Sequence, residues 1–347
     1  MRKVIVATAI LMCGAVAASS CASTRTDSGT ASPTEQPAFS QLLSTQDQAM
    51  IAYRDTVRPL DPCGYVDDAA IQRIGTPDYF GAWSAFSNCR VSFSPPGGDR
   101  ATMITASMYP VIGGAQFEGE ITPHPDDEGV SCTADVPVSD RLQINFIVYA
   151  DGDFIGDHPK GDACAPVRDI AAAAVAHRLE RPLRATSQRA HMNSRLATLD
   201  PCAVLGKVGQ GHRPALADNG TNWNPWDCSF HLDRGDESTL QQINYEFSSD
   251  RWSLDSARAR GRTAKEITIG GLRAVESESS RDEPVFAGAC WIHLATPAQP
   301  PEAKPGTDDQ SDDHGKSEII AIRAHNGCAA ARSTAEELAR LYHQLPR

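Results

Sequence analysis

The residues with the clearest capacity for chemistry form the run His124-Pro125-Asp126-Asp127-Glu128. An imidazole and a set of carboxylates can hold a zinc ion. Zinc lowers the pKa of a bound water, and a neighbouring carboxylate can then take the proton. The run therefore raises metal-assisted hydrolysis as one hypothesis for this chain.

The same run is similar to the His-Pro-Asp-Asp-Glu motif of zinc-dependent deacetylases that act on N-acetylglucosaminyl substrates. The resemblance implies zinc ligands at His124 and Asp127 and a base at Asp126. In that family the motif follows a buried parallel strand, whereas the segment before His124 is short and polar. A third ligand would have to come from His158 or His314, which lie in loop-like sequence. Pro, Asp and Gly favour turns, so we interpret the run as a solvated turn and predict no metal and no cofactor.

Two other groups could bind a ligand but have simpler interpretations. The run from Asp308 to His314 contains four aspartates but lacks the spacing and the glycine of an EF-hand loop, so we interpret it as a solvated acidic loop. Trp223 and Trp226 could stack on a sugar or a peptide, but aromatic residues near a cysteine more often fill the core around it. No Gly-x-Ser-x-Gly, phosphate-binding glycine loop or His-Glu-x-x-His occurs, so we predict no catalytic residue and no enzyme.

The N-terminus has the pattern of an export signal in residues 1–20. Arg2 and Lys3 precede an apolar run that is too short for a stable membrane span. The run ends in Ser19-Ser20-Cys21, which resembles a bacterial lipobox and implies that Cys21 is diacylated on its thiol. Residues 21–39 are rich in Ser, Thr, Gly and Pro and predict a flexible tether. We therefore expect a lipid anchor on the extracytoplasmic side of the cell membrane, or secretion if Cys21 carries no lipid.

The charge of the chain limits its partners. The formal net charge is −12, and it becomes more negative when Arg2 and Lys3 are removed with the signal. Such a surface argues against binding to nucleic acid and against electrostatic docking on anionic lipid. The lipid on Cys21 would have to hold the protein at the membrane.

A repeated motif divides the rest of the chain into two copies. Leu60-Asp61-Pro62-Cys63 and Leu199-Asp200-Pro201-Cys202 are each followed, at the same distance, by a further cysteine. An even number of cysteines in an exported chain favours disulfides, and no Cys-x-x-Cys supports a zinc ribbon or a redox motif. Many pairings are possible, and we favour the set that joins neighbours in sequence in both copies: Cys63–Cys89, Cys132–Cys164, Cys202–Cys228 and Cys290–Cys328.

Local patterns predict the elements of each copy. Helix-like segments, 41–57 and 187–196, precede the two motifs, and Asp61 and Asp200 are suited to cap the short helices that follow. Apolar strands are predicted at 142–150 and 318–324. Alanine-rich helices close the copies and should pack on the sheets through these residues: Ile170, Ala174, Leu179, Leu338, Leu341 and Leu345.

This order of signal, tether, Asp-Pro-Cys turn, strand cysteine and late cysteine before an alanine-rich helix resembles a family of actinobacterial lipoproteins that carries a domain of unknown function. The match rests on 60–63 and 199–202 and covers most of the mature chain as two copies. The resemblance implies an antiparallel sheet with helices on one side. We predict two tandem α+β repeats, 40–183 and 184–347, each with two disulfides.

For function we expect a non-catalytic binding or sensor module for a protein, peptide or envelope ligand, with a pocket in the crevice between the copies. Two alternatives stay open: a zinc-dependent hydrolase that uses His124 and Asp127, and a structural envelope protein. Because the copies share their framework, a ligand must be sought where they differ.

Overall fold

A computed structural model describes residues 38–93, 102–111, 121–126, 131–150, 163–218, 222–249, 252–279, 288–297 and 316–346. Several of the predictions above concern residues outside these ranges. They are the signal, nearly all of the tether with Cys21, the residues Asp127, His158 and His314, and the acidic segment before residue 316.

Among its described residues, the first half of the chain has three α-helices and six strands. Its elements are α1 (Thr45–Val57), α2 (Asp68–Ile74), β1 (Tyr79–Trp83), β2 (Ala85–Phe93), β3 (Thr102–Pro110), β4 (His124–Pro125), β5 (Ser131–Pro137), β6 (Leu142–Ala150) and α3 (Cys164–His177). The described part of the second half has three α-helices and seven strands. Its elements are α4 (Leu205–Val208), β7 (Ala215–Leu216), β8 (Asp227–His231), β9 (Leu240–Ser249), α5 (Trp252–Ala259), β10 (Thr263–Ile269), β11 (Leu272–Glu278), β12 (Cys290–Thr296), β13 (Lys316–Ala324) and α6 (Cys328–Gln344).

Both halves are antiparallel sheets with related strand orders, which confirms the predicted α+β class with two copies. The first sheet has the order β2-β3-β6-β5-β4, with β1 beside β2. The second has the order β10-β11-β12-β13-β9, with β8 beside β9 and β7 beside β8. One residue pair, Ala85 with Glu246, joins β2 to β9 and makes the two sheets continuous.

The four predicted disulfides are present: Cys63–Cys89, Cys132–Cys164, Cys202–Cys228 and Cys290–Cys328. The predicted caps are present as well. Asp61 Oδ1 accepts a hydrogen bond from the amide of Cys63 at 2.8 Å, and Asp200 Oδ1 accepts one from the amide of Cys202 at 2.9 Å. Each motif is thus a single 3-10 turn that holds one cysteine against the strand that carries its partner.

The closing helices α3 and α6 cover one face of each sheet. In α3 the side chains of Ile170 and Ala174 are buried, as predicted, but Leu179 lies beyond the end of the helix and is 75% exposed. In α6 the side chain of Leu338 is buried, whereas Leu341 and Leu345 are only partly buried. The prediction for Leu179 was wrong because the helix ends at His177, before the apolar face reaches position 179.

The segment before the second motif is not the predicted helix. Residues 187–195 form turns, and only a short 3-10 helix, Leu196–Thr198, lies in this region. The corresponding helix before the first motif does form, as α1, but it packs on the second half of the chain. Its residue Arg54 contacts Asp200 and Cys202 of the second motif.

Aromatic side chains fill the junction between the halves. Phe86 of β2 stacks on Phe247 with ring centroids 4.5 Å apart, and it also contacts Trp226 and Tyr245. All the described residues belong to one compact unit. None of the described helices has the length and apolar character needed to cross a bilayer.

Candidate ligand-binding site

The second sheet has a helix on each face. Thr334 and Arg332 of α6 contact Gln241 of β9 and Glu276 of β11. Neighbouring residues of a strand point to opposite faces, so Gln242 and Ser277 point away from α6. Helix α5 crosses that opposite face on its way from β9 to the edge strand β10. We call this side of the sheet the α5 face. The resemblance implied helices on one side of each sheet, and α5 departs from that arrangement.

Side chains on the α5 face lie in rows across the strands. Trp291 of β12 pairs with Arg323 of β13, which pairs with Gln242 of β9. In the next row His293 is followed by Ala321 and Asn244. In the third row Ala295 is followed by Ile319 and Glu246. The small side chain of Ala321 leaves space between the larger residues of the neighbouring strands.

A cavity of about 260 Å³ occupies this space, roofed by Ser256 and Ala257 of α5. The loop after α5 adds Arg260 and Arg262 to its wall, and β13 adds Arg323. We call this cavity the arginine hollow. Its charged and aromatic lining residues are Trp291, His293, Arg260, Arg262, Arg323 and Glu246.

The arginine hollow concentrates positive charge in an acidic protein. The guanidinium of Arg262 lies over the ring of Trp291, 3.8 Å from its centroid. Burial and the nearby charge of Arg262 both lower the pKa of Arg323, as expected for crowded cations. Glu246 lies across the hollow, where burial raises the pKa of its carboxyl and Asn244 Nδ2 donates to it at 3.3 Å. An added anion would relieve the repulsion among the arginines.

His293 is half-buried beside these cations. Its Nδ1 atom is inaccessible to solvent, and within the described ranges no atom makes a hydrogen bond to it. Burial lowers the pKa of His293 to about 4, with Arg262 and Arg260 adding to the effect. The imidazole is therefore neutral at neutral pH. The charged groups around it are Arg260, Arg262 and Arg323 on one side, and Glu246, Glu266 and Arg273 on the other.

We expect the protein to lose stability on acidification because of His293. In the unfolded chain a histidine has a pKa of about 6.5 and becomes protonated as the pH falls below that value. In the folded protein His293 stays neutral until a lower pH, so acidification favours the unfolded chain. This contribution is complete above the unfolded pKa and is lost progressively as pH falls towards 4. Between pH 7 and pH 5 it amounts to about 2 kcal/mol.

Urea denaturation of the wild type and of His293→Gln at both pH values measures this contribution. The difference in unfolding free energy between pH 7 and pH 5 should be about 2 kcal/mol smaller in His293→Gln. Equal pH dependence in the two proteins would contradict the assignment.

Among the described residues, the first half has no counterpart of the arginine lining. Aligning Cys132 with Cys290 and β6 with β13 places Asp135 at the position of His293 and Asn145 at that of Ala321. Asn145 Nδ2 donates a hydrogen bond to Asp135 Oδ1 at 2.8 Å, and this hydrogen bond is exposed on the surface of the first sheet. Further lining positions also differ: Thr133 stands for Trp291, Ile147 for Arg323, Ser107 for Asn244 and Tyr109 for Glu246. The cavity thus lies where the copies diverge.

The residues of the zinc hypothesis lie elsewhere. His124 is exposed on the two-residue strand β4, and Asp127 falls outside the described residues. Asp126 Oδ2 accepts hydrogen bonds from the amide of Ser131 at 3.0 Å and from its hydroxyl at 2.8 Å. These contacts use the carboxylate to hold the local chain. His124 and Asp127 remain a prediction as a metal pair.

One group of possible metal ligands occurs among the described residues. Glu276 lies with Cys290 and Cys328, with candidate ligand atoms within 4.8 Å of one another. The two sulfurs are joined in a disulfide. A cysteine binds a metal as its thiolate, so these two sulfurs cannot serve as metal ligands while they form the disulfide.

The two tryptophans singled out in the sequence have structural roles. Trp226 is fully buried, and its Nε1 donates to the carbonyl of Ala197 at 3.0 Å. Trp223 stacks on Tyr109 of the first half, with centroids 5.9 Å apart. The junction between the halves, where a crevice was expected, is packed with aromatic side chains in the part of the chain that the structure describes.

Sequence reasoning missed the arginine hollow altogether. Trp291 and His293 stand two positions apart on a strand, which signals one shared face, and Arg260 and Arg262 lie just after a short helix. Nothing local in the sequence indicates that the helix crosses four strands to bring these residues together. No protein-family model, curated protein or solved structure shows a significant match to this chain.

Proposed function

We propose that this chain is an exported, lipid-anchored binding module that takes an anionic ligand into the arginine hollow. The observation that carries the proposal is the convergence of Arg260, Arg262 and Arg323 on one cavity of a chain with net charge −12. Guanidinium groups present several donors in a fixed fork that suits carboxylates and phosphates. The neutral ring of His293 and the face of Trp291 add a surface that is not strongly hydrated.

Divergence between the copies supports a binding role for this cavity. The residues that fold each half, such as the motif aspartates and the disulfides, recur in both copies. The residues that line the arginine hollow do not recur: Asn145 and Asp135, joined by an exposed hydrogen bond, occupy the positions of Ala321 and His293. A lining found in one copy only is the pattern expected of a site added to a shared framework.

The export and membrane parts of the proposal rest on other features. The apolar segment before Cys21 supports export and lipid attachment. Four disulfides in 347 residues are in keeping with an oxidising compartment. A tether after Cys21 would leave the second half free to meet a ligand outside the membrane.

Binding of inorganic phosphate tests the proposal. We expect the full chain, carrying Cys21→Ser so that no lipid is attached, to bind one phosphate per molecule in isothermal titration calorimetry. Arg323→Ile gives position 323 the isoleucine of the first copy and removes one charged donor. A charge-assisted hydrogen bond contributes about 1.5–3 kcal/mol, so the affinity should fall at least about tenfold.

The matched control is Arg73→Ile, which removes a charge from the exposed part of α2 in the other half. It should bind phosphate as the wild type does. Absence of phosphate binding by the wild type, or equal affinity in Arg323→Ile, would contradict the proposal.

A further inference from the structure

A second cavity continues from the arginine hollow. It has a volume of about 170 Å³, lies along the rows towards the other end of the strands, and shares His293 with the hollow. The apolar side chains that line it on the α5 face are those of Val275, Ala295 and Ile319. We call it the apolar groove. Arg273 and Glu266 also line it.

The apolar walls are separate from the main core. Val275 and Ile319 are buried, at 5% and 2% exposure, but they lie outside the core cluster that includes their strand neighbours Ala274 and Ile320. Those neighbours point to the α6 face, so Val275 and Ile319 point to the α5 face. Apolar side chains beside a cavity and next to a cluster of arginines form a site with two chemical parts.

We infer that the ligand is an organic anion with a short apolar chain, whose charged group contacts the arginines of the hollow while its chain lies in the apolar groove. This inference rests on the proposed function, since it assumes that the hollow binds an anion. Charge complementarity selects the head group: three arginines line the hollow, whereas in the adjoining groove Arg273 is accompanied by Glu266 and by the apolar side chains of Val275, Ala295 and Ile319. His293, neutral and at the junction, contacts both parts of the ligand.

The order of the two cavities also sets the ligand's orientation. The arginines lie at the row of Trp291 and Arg323, and the apolar walls lie at the row of Ala295 and Ile319. Successive rows on one face of a strand are about 7 Å apart, so the rows of Trp291 and Ala295 are about 14 Å apart. A chain near the length of octanoate is needed to reach from the long arginine side chains to the apolar walls. Inorganic phosphate and acetate would occupy only the first part.

A series of carboxylates tests the inference: acetate, butanoate, hexanoate and octanoate, titrated into the Cys21→Ser full chain by calorimetry. Affinity should rise with chain length by about fourfold for each methylene that enters the groove. Octylammonium has the same chain as octanoate but the opposite charge, and it should not bind. A plateau at acetate, with phosphate binding intact, would overturn this inference while leaving the proposed function standing.

Ala295→Phe fills the apolar groove without changing any charge. It should remove the advantage of octanoate over acetate and keep the phosphate affinity of the wild type. If this variant does not fold, the chain-length series on the wild type still decides the question. Loss of binding to every anion in the wild type would mean that the proposed function itself has failed.

Discussion

Replacing Arg54 by methionine is expected to lower the free energy of unfolding by about 3–5 kcal/mol, the usual cost of breaking a buried ion pair from one side. Arg54 is 0% exposed. Its Nη2 donates to the carbonyl oxygens of Asp227 and Pro225 at 2.6 and 3.2 Å and to Asp200 Oδ1 at 3.3 Å, and its Nη1 lies 3.0 Å from Cys202 Sγ. Methionine fills much of the same volume but satisfies none of these acceptors.

The partners of Arg54 explain why the loss should be large. Burial lowers the pKa of Arg54, but Asp200 opposes this effect and favours the charged form. Without the guanidinium, Asp200 keeps its bond from the amide of Cys202 and, among the described residues, one cation, Arg58, whose Nη2 lies 3.0 Å from Oδ2. The backbone acceptors in the second half would be left with fewer donors in a place that water does not reach.

Urea denaturation with the disulfides intact measures the effect. Arg73→Met, on the exposed part of α2, serves as the control and should change stability by less than about 0.5 kcal/mol. The double variant Arg54→Met with Asp200→Asn should recover part of the loss, because asparagine keeps the cap on Cys202 and carries no charge. A loss below about 1 kcal/mol in Arg54→Met would show that these contacts are not what joins the halves.

The second large effect is expected on removal of the disulfide between Cys202 and Cys228. The loop that it closes has a sequence separation of 26 residues. In the chain-entropy description a loop of this length stabilises the fold by about 3–4 kcal/mol. Replacing both cysteines by alanine also removes the sulfur that Arg54 contacts, so a buried donor loses a partner and the total cost should exceed the entropic part.

The first copy provides the matched control, since Cys63 and Cys89 close a loop with the same separation of 26 residues. Both double-alanine variants should be less stable than the wild type in urea, and the variant lacking Cys202 and Cys228 should be the less stable of the two. In the Arg54→Met background this extra difference should disappear. Persistence of the difference there would show that Arg54 does not cause it.

Features that depend on local sequence could be predicted. Asp61 and Asp200 cap their turns because each carboxylate accepts a hydrogen bond from the amide two residues later. Both partners are therefore close together in the sequence. The duplication narrowed the choice of disulfide pairs, because two copies of one fold should use one pattern, and the favoured set that joins neighbours in sequence is the one present. The apolar strand at 142–150 was readable from its run of hydrophobic residues.

Features that depend on distant residues could not be predicted. The pattern of α1 indicates that one side of the helix is buried, but it does not say that Arg54 contacts residues more than 140 positions away. The arginine hollow depends on the path of α5 across the sheet, which no local pattern specifies. His293 would look like any histidine in a strand, and it is the burial of its ring, with Arg260 and Arg262 beside it, that lowers its pKa.

The docking of α1 on the second half has a consequence for how the protein is made. A ribosome delivers this helix early, yet the carbonyl of Asp227 that receives Arg54 is separated from it by 173 residues of later chain. Contacts of such long sequence separation form slowly and late. Until then the helix is a charged segment without its counterpart, and the first copy cannot reach its final form alone. Duplication has therefore produced two copies in one polypeptide that contact each other through α1 only after the chain has been made past Asp227, residue 227 of 347.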